Sequence, residues 1–297
     1  MKIIITGISG FVGQNLSVFL NENGNEVQGL SLRTENWVFD KKADAFIHLA
    51  GKAHDTTDTS SEKEYFDVNT DLTRKLFNHF LNSEVKDFIY FSSVKATADS
   101  IEGALDENHI SNPKTPYGKS KLEAENYLLS QKLPVNKRLL IIRPCMIHGP
   151  GNKGNLNLLY QLVSKGIPWP LGDFENKRSF LSVDNLCFVI KELLNNVEIP
   201  SGIYNVSDDI ALSTNELIQL LGVSLGKKNR VLNIPSSWIK GFAKLGDYMY
   251  LPLNSERLQK LTENYVVSNK KLLHAIGKPL PIESKEGLLK TFQSFKK

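Results

Sequence analysis

Apolar residues along this chain fall into short unbroken runs, separated by longer stretches in which they recur every three to four positions. Residues 2–6, Lys-Ile-Ile-Ile-Thr, are nearly all apolar and β-branched. Such a run reads as a strand buried on both faces, as in a parallel sheet. After a glycine-rich turn, Val12, Leu16, Phe19 and Leu20 recur at helical spacing, with Gln14, Asn15, Asn21 and Glu22 on the other face. Asn23-Gly24 closes that helix, and residues 25–30 read as the next strand. Strand, glycine turn, helix and strand make a βαβ unit.

The alternation continues. Residues 45–49, 85–91 and 138–142 read as strands. Residues 61–82 read as one long helix, with Phe66, Leu72, Leu76, Phe77 and Phe80 inward. Residues 116–130 read as a helix with Thr115 as N-cap and Pro116 in the first turn. Repeated β-α-β predicts an α/β fold, a Rossmann-type doubly wound parallel sheet.

The pattern changes after the loop signal Gly149-Pro150-Gly151-Asn152. Helices are expected at 156–165, 184–195, 213–222, 236–246 and 286–295, with short strands near 180–183 and 202–206. Residues 1–150 are therefore expected to form the Rossmann domain. Residues 151–297 mostly form a smaller C-terminal lobe, with the segment about 180–206 returning to the first domain.

Composition narrows the class. A chain of 297 residues can bury a core without disulfide or metal staples. With 36 basic and 32 acidic side chains the net charge is +4, too small and scattered an excess to predict a nucleic-acid partner. The two cysteines, Cys145 and Cys187, lack zinc-ligand spacing, so no metal is expected. No run of eighteen apolar residues predicts a spanning helix, and Ile3-Ile4-Ile5 is too short for a signal sequence. A cytoplasmic protein without a membrane partner is expected.

Four motifs carry candidate chemistry. The first is Thr6-Gly7-Ile8-Ser9-Gly10-Phe11-Val12-Gly13. Gly7 permits a tight turn, Gly10 lets backbone approach a pyrophosphate, and Gly13 lets the helix pack on the strand. The uncapped helix start then offers N–H groups to phosphate. The second is Leu30-Ser31-Leu32-Arg33. An acidic ribose ligand is usual there in an NAD site, whereas Ser31 and Arg33 suit a 2′-phosphate and favour NADP(H). NAD(H) stays open, as does Arg33 as a solvated surface residue.

The third is Tyr117-Gly118-Lys119-Ser120-Lys121. Tyr117 and Lys121 share a helix face, and a nearby ammonium would lower the phenol pKa for proton exchange. The fourth is Phe91-Ser92-Ser93, ending an apolar strand where open α/β sheets bind ligands.

Together these motifs resemble the extended short-chain dehydrogenases/reductases of the nucleotide-sugar epimerase/dehydratase group, over essentially the whole length. The resemblance also rests on 44–51 (Asp-Ala-Phe-Ile-His-Leu-Ala-Gly), Arg143-Pro144, 148–151 (His-Gly-Pro-Gly) and 178–186 (Arg-Ser-Phe-Leu-Ser-Val-Asp-Asn-Leu). It implies that Ser93, Tyr117 and Lys121 are catalytic, Tyr117 and Lys121 also contacting cofactor. It implies that Gly7 to Gly13, His48, Leu49, Ala50, Gly51 and Pro144 line the cofactor, and that Asn69 supports the site. Asn155 and Arg178 would bind the sugar diphosphate, with Ser93 and Tyr117 at the sugar. Arg257 and Lys260 read as a solvated helix face. His48 and His148 read as packed residues, and Cys145 as an apolar wall. A homodimer through helices 61–82 and 116–130 is a further expectation.

Dehydratases of this group carry Asp-Glu where this chain has Val94-Lys95, which disfavours elimination of water. The first expectation is an NADPH-dependent reductase of a nucleotide-linked 4-keto-6-deoxy sugar, of the UDP-N-acetylhexosamine type used in polysaccharide biosynthesis. The alternative is a UDP-hexose or UDP-N-acetylhexosamine 4-epimerase with bound NAD. A non-catalytic dinucleotide sensor fits less well, because a sensor need not keep the proton-transfer groups.

Overall fold

The computed structural model describes residues 1–33, 37–52, 61–152, 154–249 and 254–296, without the side chain of Asn155. In chain order the elements are β1 (Lys2–Thr6), α1 (Phe11–Glu22), β2 (Glu26–Leu30), β3 (Ala45–His48), α2 (Glu62–Phe66), a π turn (Asp67–Asp71), α3 (Leu72–Leu81) and β4 (Asp87–Phe91). Next come a 3-10 turn (Val94–Ala96), β5 (Ala104–Leu105), α4 (Pro116–Ser130), β6 (Arg138–Pro144), β7 (Met146–His148), α5 (Asn155–Ser164), β8 (Phe180–Ser182) and α6 (Val183–Asn195). The chain ends with β9 (Gly202–Val206), α7 (Thr214–Leu225), α8 (Ser236–Met249), α9 (Ser255–Thr262), β10 (Val266–Val267), α10 (Lys270–Ile276) and α11 (Ser284–Ser294).

Six strands form one parallel sheet in the order β2-β1-β3-β4-β6-β9. Side-chain alternation splits its apolar residues between two layers. Ile3, Ile5, Ile47, Ile89 and Ile142 pack under α1 and α6. Ile4, Phe46, Phe88, Tyr90 and Ile141 pack under α3 and α4. Both faces are covered, as the unbroken apolar runs require. A third cluster joins Trp169, Phe180, Leu217, Leu221, Ile239 and Phe292 from the C-terminal half.

Strand order reverses between β1 and β3, whose C-terminal residues Thr6 and His48 are register partners. His48 in turn faces Tyr90 of β4. The strand ends thus line one crevice, where open α/β sheets take ligands.

The helix expected over 61–82 is interrupted. A π turn carries Asn69 and Thr70, and both side chains bond across to α4. Asn69 Nδ2 donates to Ser120 Oγ at 3.0 Å, and Thr70 Oγ1 donates to Ser120 O at 2.8 Å. A wider turn of this kind is a recurrent feature of functional sites. The short strands β5, β7 and β10 and the helix α10 fall outside the predicted elements. β10 pairs in parallel with β5, which brings the C-terminal half against the loop after β4.

Candidate active site

The glycine turn is built as its spacing predicts. Gly7 has φ +71°, and a Cβ there would lie 2.7 Å from the Ala50 nitrogen. Only glycine meets both conditions. The Gly10 N–H donates to Gly7 O at 3.0 Å, and Gly10 caps α1 without a side-chain hydrogen bond. The first turn of α1, Phe11 to Gly13, therefore keeps its amide groups for an anion. A Cβ on Gly13 would stand 2.4 Å from Gly7 O. This cradle fits the diphosphate of a dinucleotide.

A buried chain of hydrogen bonds supports the turn from beneath. Thr73 donates to Asn69 O at 2.7 Å. Its single proton is then used, so His48 Nε2 donates to Thr73 Oγ1 at 2.9 Å. His48 Nδ1 accepts from Thr6 Oγ1 at 2.7 Å, and Thr6 Oγ1 accepts the Ala50 N–H at 3.2 Å. Burial, aided by the Lys121 charge, pulls the His48 pKa down to about 3. His48 does not line the smaller cleft. Its imidazole is fully enclosed and is linked through Thr6 to the backbone of Ala50. Asn69 adds to that support: its Oδ1 accepts the Lys52 N–H at 2.8 Å, and its Nδ2 donates to Lys52 O at 3.1 Å.

Ser93, Tyr117 and Lys121 come together at the ends of β4 and α4. Ser93 is hydrogen-bonded to the Tyr117 phenol, and its Oγ also accepts the Lys95 N–H at 3.2 Å. Burial pushes the Tyr117 pKa up, the Ser93 bond opposes it, and the neighbouring Tyr65 phenol adds to the rise. Lys121 Nζ donates to Phe91 O at 2.8 Å. Burial lowers its pKa to about 8, against the pull of Glu125. The expected lowering of the phenol pKa by Lys121 is thus corrected. The ammonium is directed at the Phe91 carbonyl.

Two clefts meet at these hydroxyls. One, of about 260 Å³, is lined by Val12, Leu49, Gly51, Lys121 and Pro144. The other, of about 460 Å³, is lined by Lys95, Asp99, Arg178, Glu263 and Tyr265. Ser93, Tyr117 and Cys145 border both. Burial raises the Cys145 thiol pKa, so it stays a neutral wall.

The wider cleft is strongly charged. Arg178 Nη1 donates to Lys260 O at 2.6 Å, and Nη2 faces Glu263 Oε1 at 3.5 Å. Lys95 Nζ donates to Asp99 O at 2.6 Å and lies 4.2 Å from the centre of the Tyr265 ring. The Tyr265 hydroxyl donates to Ala98 O at 2.6 Å. Asp99 accepts from Thr115 Oγ1 at 2.9 Å and from the Lys114 N–H at 2.6 Å, which fixes the start of α4. Lys260 borders this cleft with its ammonium paired to Glu256. Ser31 and Arg33 are exposed and line neither cleft. Arg33 instead borders a separate groove with Trp37, Lys75 and His79. The side chain of Asn155 lies outside the described residues.

Residues 3–207 match the family model described as the NAD dependent epimerase/dehydratase family. The chain belongs to that family. It is 31% identical to a UDP-glucose 4-epimerase of Vibrio cholerae over 99% of this chain and 95% of that one. It is 29% identical to an Escherichia coli 4-epimerase of N-acetyl-alpha-D-glucosaminyl-diphospho-ditrans,octacis-undecaprenol, over 98% and 94%. The structure of RMD from Pseudomonas aeruginosa complexed with NADPH superposes with a TM-score of 0.72 at 22% identity, covering 99% and 98%. The family resemblance and the Rossmann-type fold expected from sequence are both borne out. The family's relatives also include nucleotide-sugar reductases and dehydratases.

The arrangement suits family chemistry at a sugar carbon. A group held in the smaller cleft and a sugar held in the larger one would meet beside two hydroxyl groups. Tyr265, Glu263 and Asp99 escaped the sequence reading, because they reach the cleft from segments up to 171 residues away. Lys95 was legible only as a departure from the Asp-Glu pair.

Proposed function

We propose that this enzyme is an NADPH-dependent reductase of the C4 ketone of a nucleotide-linked 4-keto-6-deoxy sugar, of the UDP-N-acetylhexosamine type. The observation that carries this reading is the Ser93–Tyr117 hydroxyl pair at the junction of the two clefts. A ketone reduction needs a proton donor at the oxygen, which a phenol beside the sugar can supply.

Gly7, Gly10, Phe11, Val12 and Gly13 would hold the dinucleotide diphosphate, and Leu49, Ala50, Gly51 and Pro144 would border its ribose and nicotinamide. Bound NADPH supplies the hydride. Ser93 holds the sugar carbonyl oxygen by hydrogen bonding. Tyr117 gives its phenolic proton to that oxygen as negative charge develops there. Lys121, held by the Phe91 carbonyl, would offer its ammonium to the nicotinamide ribose. Arg178 turns from Glu263 to the sugar diphosphate, which it can grip with two parallel N–H groups. Asn155 is assigned to the same diphosphate. Orientation and charge stabilisation at the developing oxyanion supply most of the acceleration. Lys95 stands where the dehydratases carry a carboxylate, which disfavours elimination of water. Ser31 and Arg33, with no carboxylate at the end of β2, support NADPH as the donor.

The second reading is a UDP-hexose 4-epimerase with bound NAD, favoured by the full-length similarity to the Vibrio cholerae protein. Tyr117→Phe tests the reading at its centre. Turnover should fall by about 10²–10⁴-fold while cofactor affinity is retained. Unchanged turnover would remove Tyr117 from the chemistry.

A further inference from the structure

Lys95 brings a cation to the wider cleft from a turn that is fixed against the Ser93 and Tyr117 hydroxyls. Its backbone N–H donates to Ser93 Oγ at 3.2 Å. A Cβ on Gly118 would stand 2.4 Å from Lys95 O, so the turn lies directly against the residue that follows Tyr117. The ammonium donates to Asp99 O at 2.6 Å and sits 4.2 Å from the centre of the Tyr265 ring. Arg178 and Lys260 line the same cleft and are paired with Glu263 and Glu256. Lys95 is paired with no carboxylate among the described residues. Asp99, the one carboxylate that the loop after β4 brings to the cleft, is spent on the Lys114 N–H and the Thr115 hydroxyl. The Tyr265 hydroxyl is spent on Ala98 O, which leaves its ring as a carbon surface. Burial lowers the Lys95 pKa, Glu263 and Asp99 raise it, and Arg178 adds to the lowering. The cleft thus keeps a half-buried ammonium with N–H donors to spare, beside an aromatic ring.

We propose that Lys95 determines which sugar the site takes, its ammonium donating to the carbonyl oxygen of an acetamido group on the sugar ring while the acetyl methyl rests on the Tyr265 ring. The inference rests on the nucleotide-sugar reading above and names the residue that would read the N-acetyl substituent. Donor chemistry selects this group. An ammonium has three N–H donors and no acceptor. A sugar hydroxyl held by it keeps a proton of its own, and the Asp99 carboxylate and the Ala98 carbonyl beside it are already engaged. Burying that proton without an acceptor costs binding. An amide carbonyl oxygen carries no proton and is satisfied by donors alone. It is also joined to a methyl group, which gains from a carbon surface. A cation next to an aromatic face matches both halves of the acetamide, whereas a hydroxyl matches only the cation. A site built to donate to one group of a ligand discriminates strongly against the analogue that lacks it. Arg178 stays available for the diphosphate, because Lys95 and Arg178 reach the cleft from different elements and hold different partners.

Calorimetric titration of the full chain, loaded with NADPH, tests this with four stable ligands: UDP, UDP-glucose, UDP-N-acetylglucosamine and UDP-glucuronic acid. Wild type should bind UDP-N-acetylglucosamine about ten-fold more tightly than UDP-glucose. Lys95→Met keeps the reach of the side chain and removes the donor. It should bring UDP-N-acetylglucosamine down to the level of UDP-glucose, with UDP and NADPH affinity unchanged. The retained UDP affinity shows that the cleft of the variant is folded. Lys95→Arg, which keeps a donor, should retain part of the preference. Equal wild-type affinity for the two sugars overturns the proposal without any variant, as does a preference that survives in Lys95→Met. A loss in Lys95→Met that UDP shares would assign the ammonium to the diphosphate. Tighter wild-type binding of UDP-glucuronic acid would assign it to a carboxylate. Either result equally overturns the proposal. Failure of the nucleotide-sugar reading looks different: wild type then binds none of the four ligands, UDP included, and the inference falls with it.

Discussion

His48 donates from Nε2 to the hydroxyl of Thr73, 2.9 Å away, because Thr73 spends its own proton on Asn69 O. That bond makes the strand end beneath the nucleotide cradle depend on a neutral histidine. The folded-state pKa of about 3 lies below the ordinary 6.5. Between those values the unfolded chain binds a proton that the folded protein refuses. The His48 contribution is therefore intact above about pH 6.5 and is lost progressively as pH falls toward 3. Urea midpoints measured from pH 7 to pH 4 should drop more steeply for wild type than for His48→Gln. The variant should also start lower at pH 7 by about 1–3 kcal/mol, since Thr6 and Thr73 lose well-placed partners.

Lys121 gives a stability slope of the same sign at higher pH. Its folded pKa of about 8 is below the ordinary 10.5. Burial of the ammonium costs stability fully below pH 8, and that cost is relieved as pH rises from 8 toward 10.5. Cofactor affinity should move the other way and fall above pH 8, as the ammonium is lost. Parallel titrations of unfolding midpoint and NADPH affinity should diverge in wild type. In Lys121→Met both slopes should flatten.

Gly10 and Gly13 separate cofactor binding from packing. A Cβ on Gly13 would meet Gly7 O at 2.4 Å, whereas one on Gly10 would stand 3.3 Å from the same atom. Gly13→Ala should destabilise the protein by about 1–3 kcal/mol and lose cofactor binding. Gly10→Ala should keep near-wild-type stability and lose affinity through its methyl group facing the diphosphate. Thermal melts with and without NADPH distinguish the two.

Arg143 and Glu125 form a buried pair behind the catalytic helix. Arg143 Nε donates to Glu125 Oε1 at 2.9 Å, and Nη1 donates to Thr97 Oγ1 at 2.8 Å. Arg143→Met leaves the Glu125 carboxylate buried without its cation and should cost about 3–5 kcal/mol. Adding Glu125→Leu should recover much of that loss in denaturant unfolding, while removing the charge that holds the Lys121 pKa up.

Local signals were legible in the sequence where the chemistry is local. The spacing of Gly7, Gly10 and Gly13, the Tyr117 to Lys121 helical pair and the Thr115-Pro116 helix start depend on a few neighbouring residues. The π turn at Asn69 depends instead on hydrogen bonds to Ser120 and Lys52, so a long apolar helical pattern ran straight through it. The wider cleft was similarly hidden. Lys95 meets Tyr265, and Arg178 meets Glu263, only after β10 pairs with β5. The tie between Lys121 and Phe91 O was also unreadable, which is why the phenol pKa was expected to move the other way.

Hydride accounting on purified protein tests the central claim most directly. Any co-purifying nucleotide is first released and identified, and NADPH is then followed by its near-ultraviolet absorbance after a UDP-linked 4-keto-6-deoxy-N-acetylhexosamine is added. The account predicts exchangeable NADPH, consumed mole for mole with the ketone, and loss of that consumption in Tyr117→Phe. Tightly retained NAD that survives dialysis, with inversion at C4 of a UDP-hexose and no net change in cofactor, would contradict it.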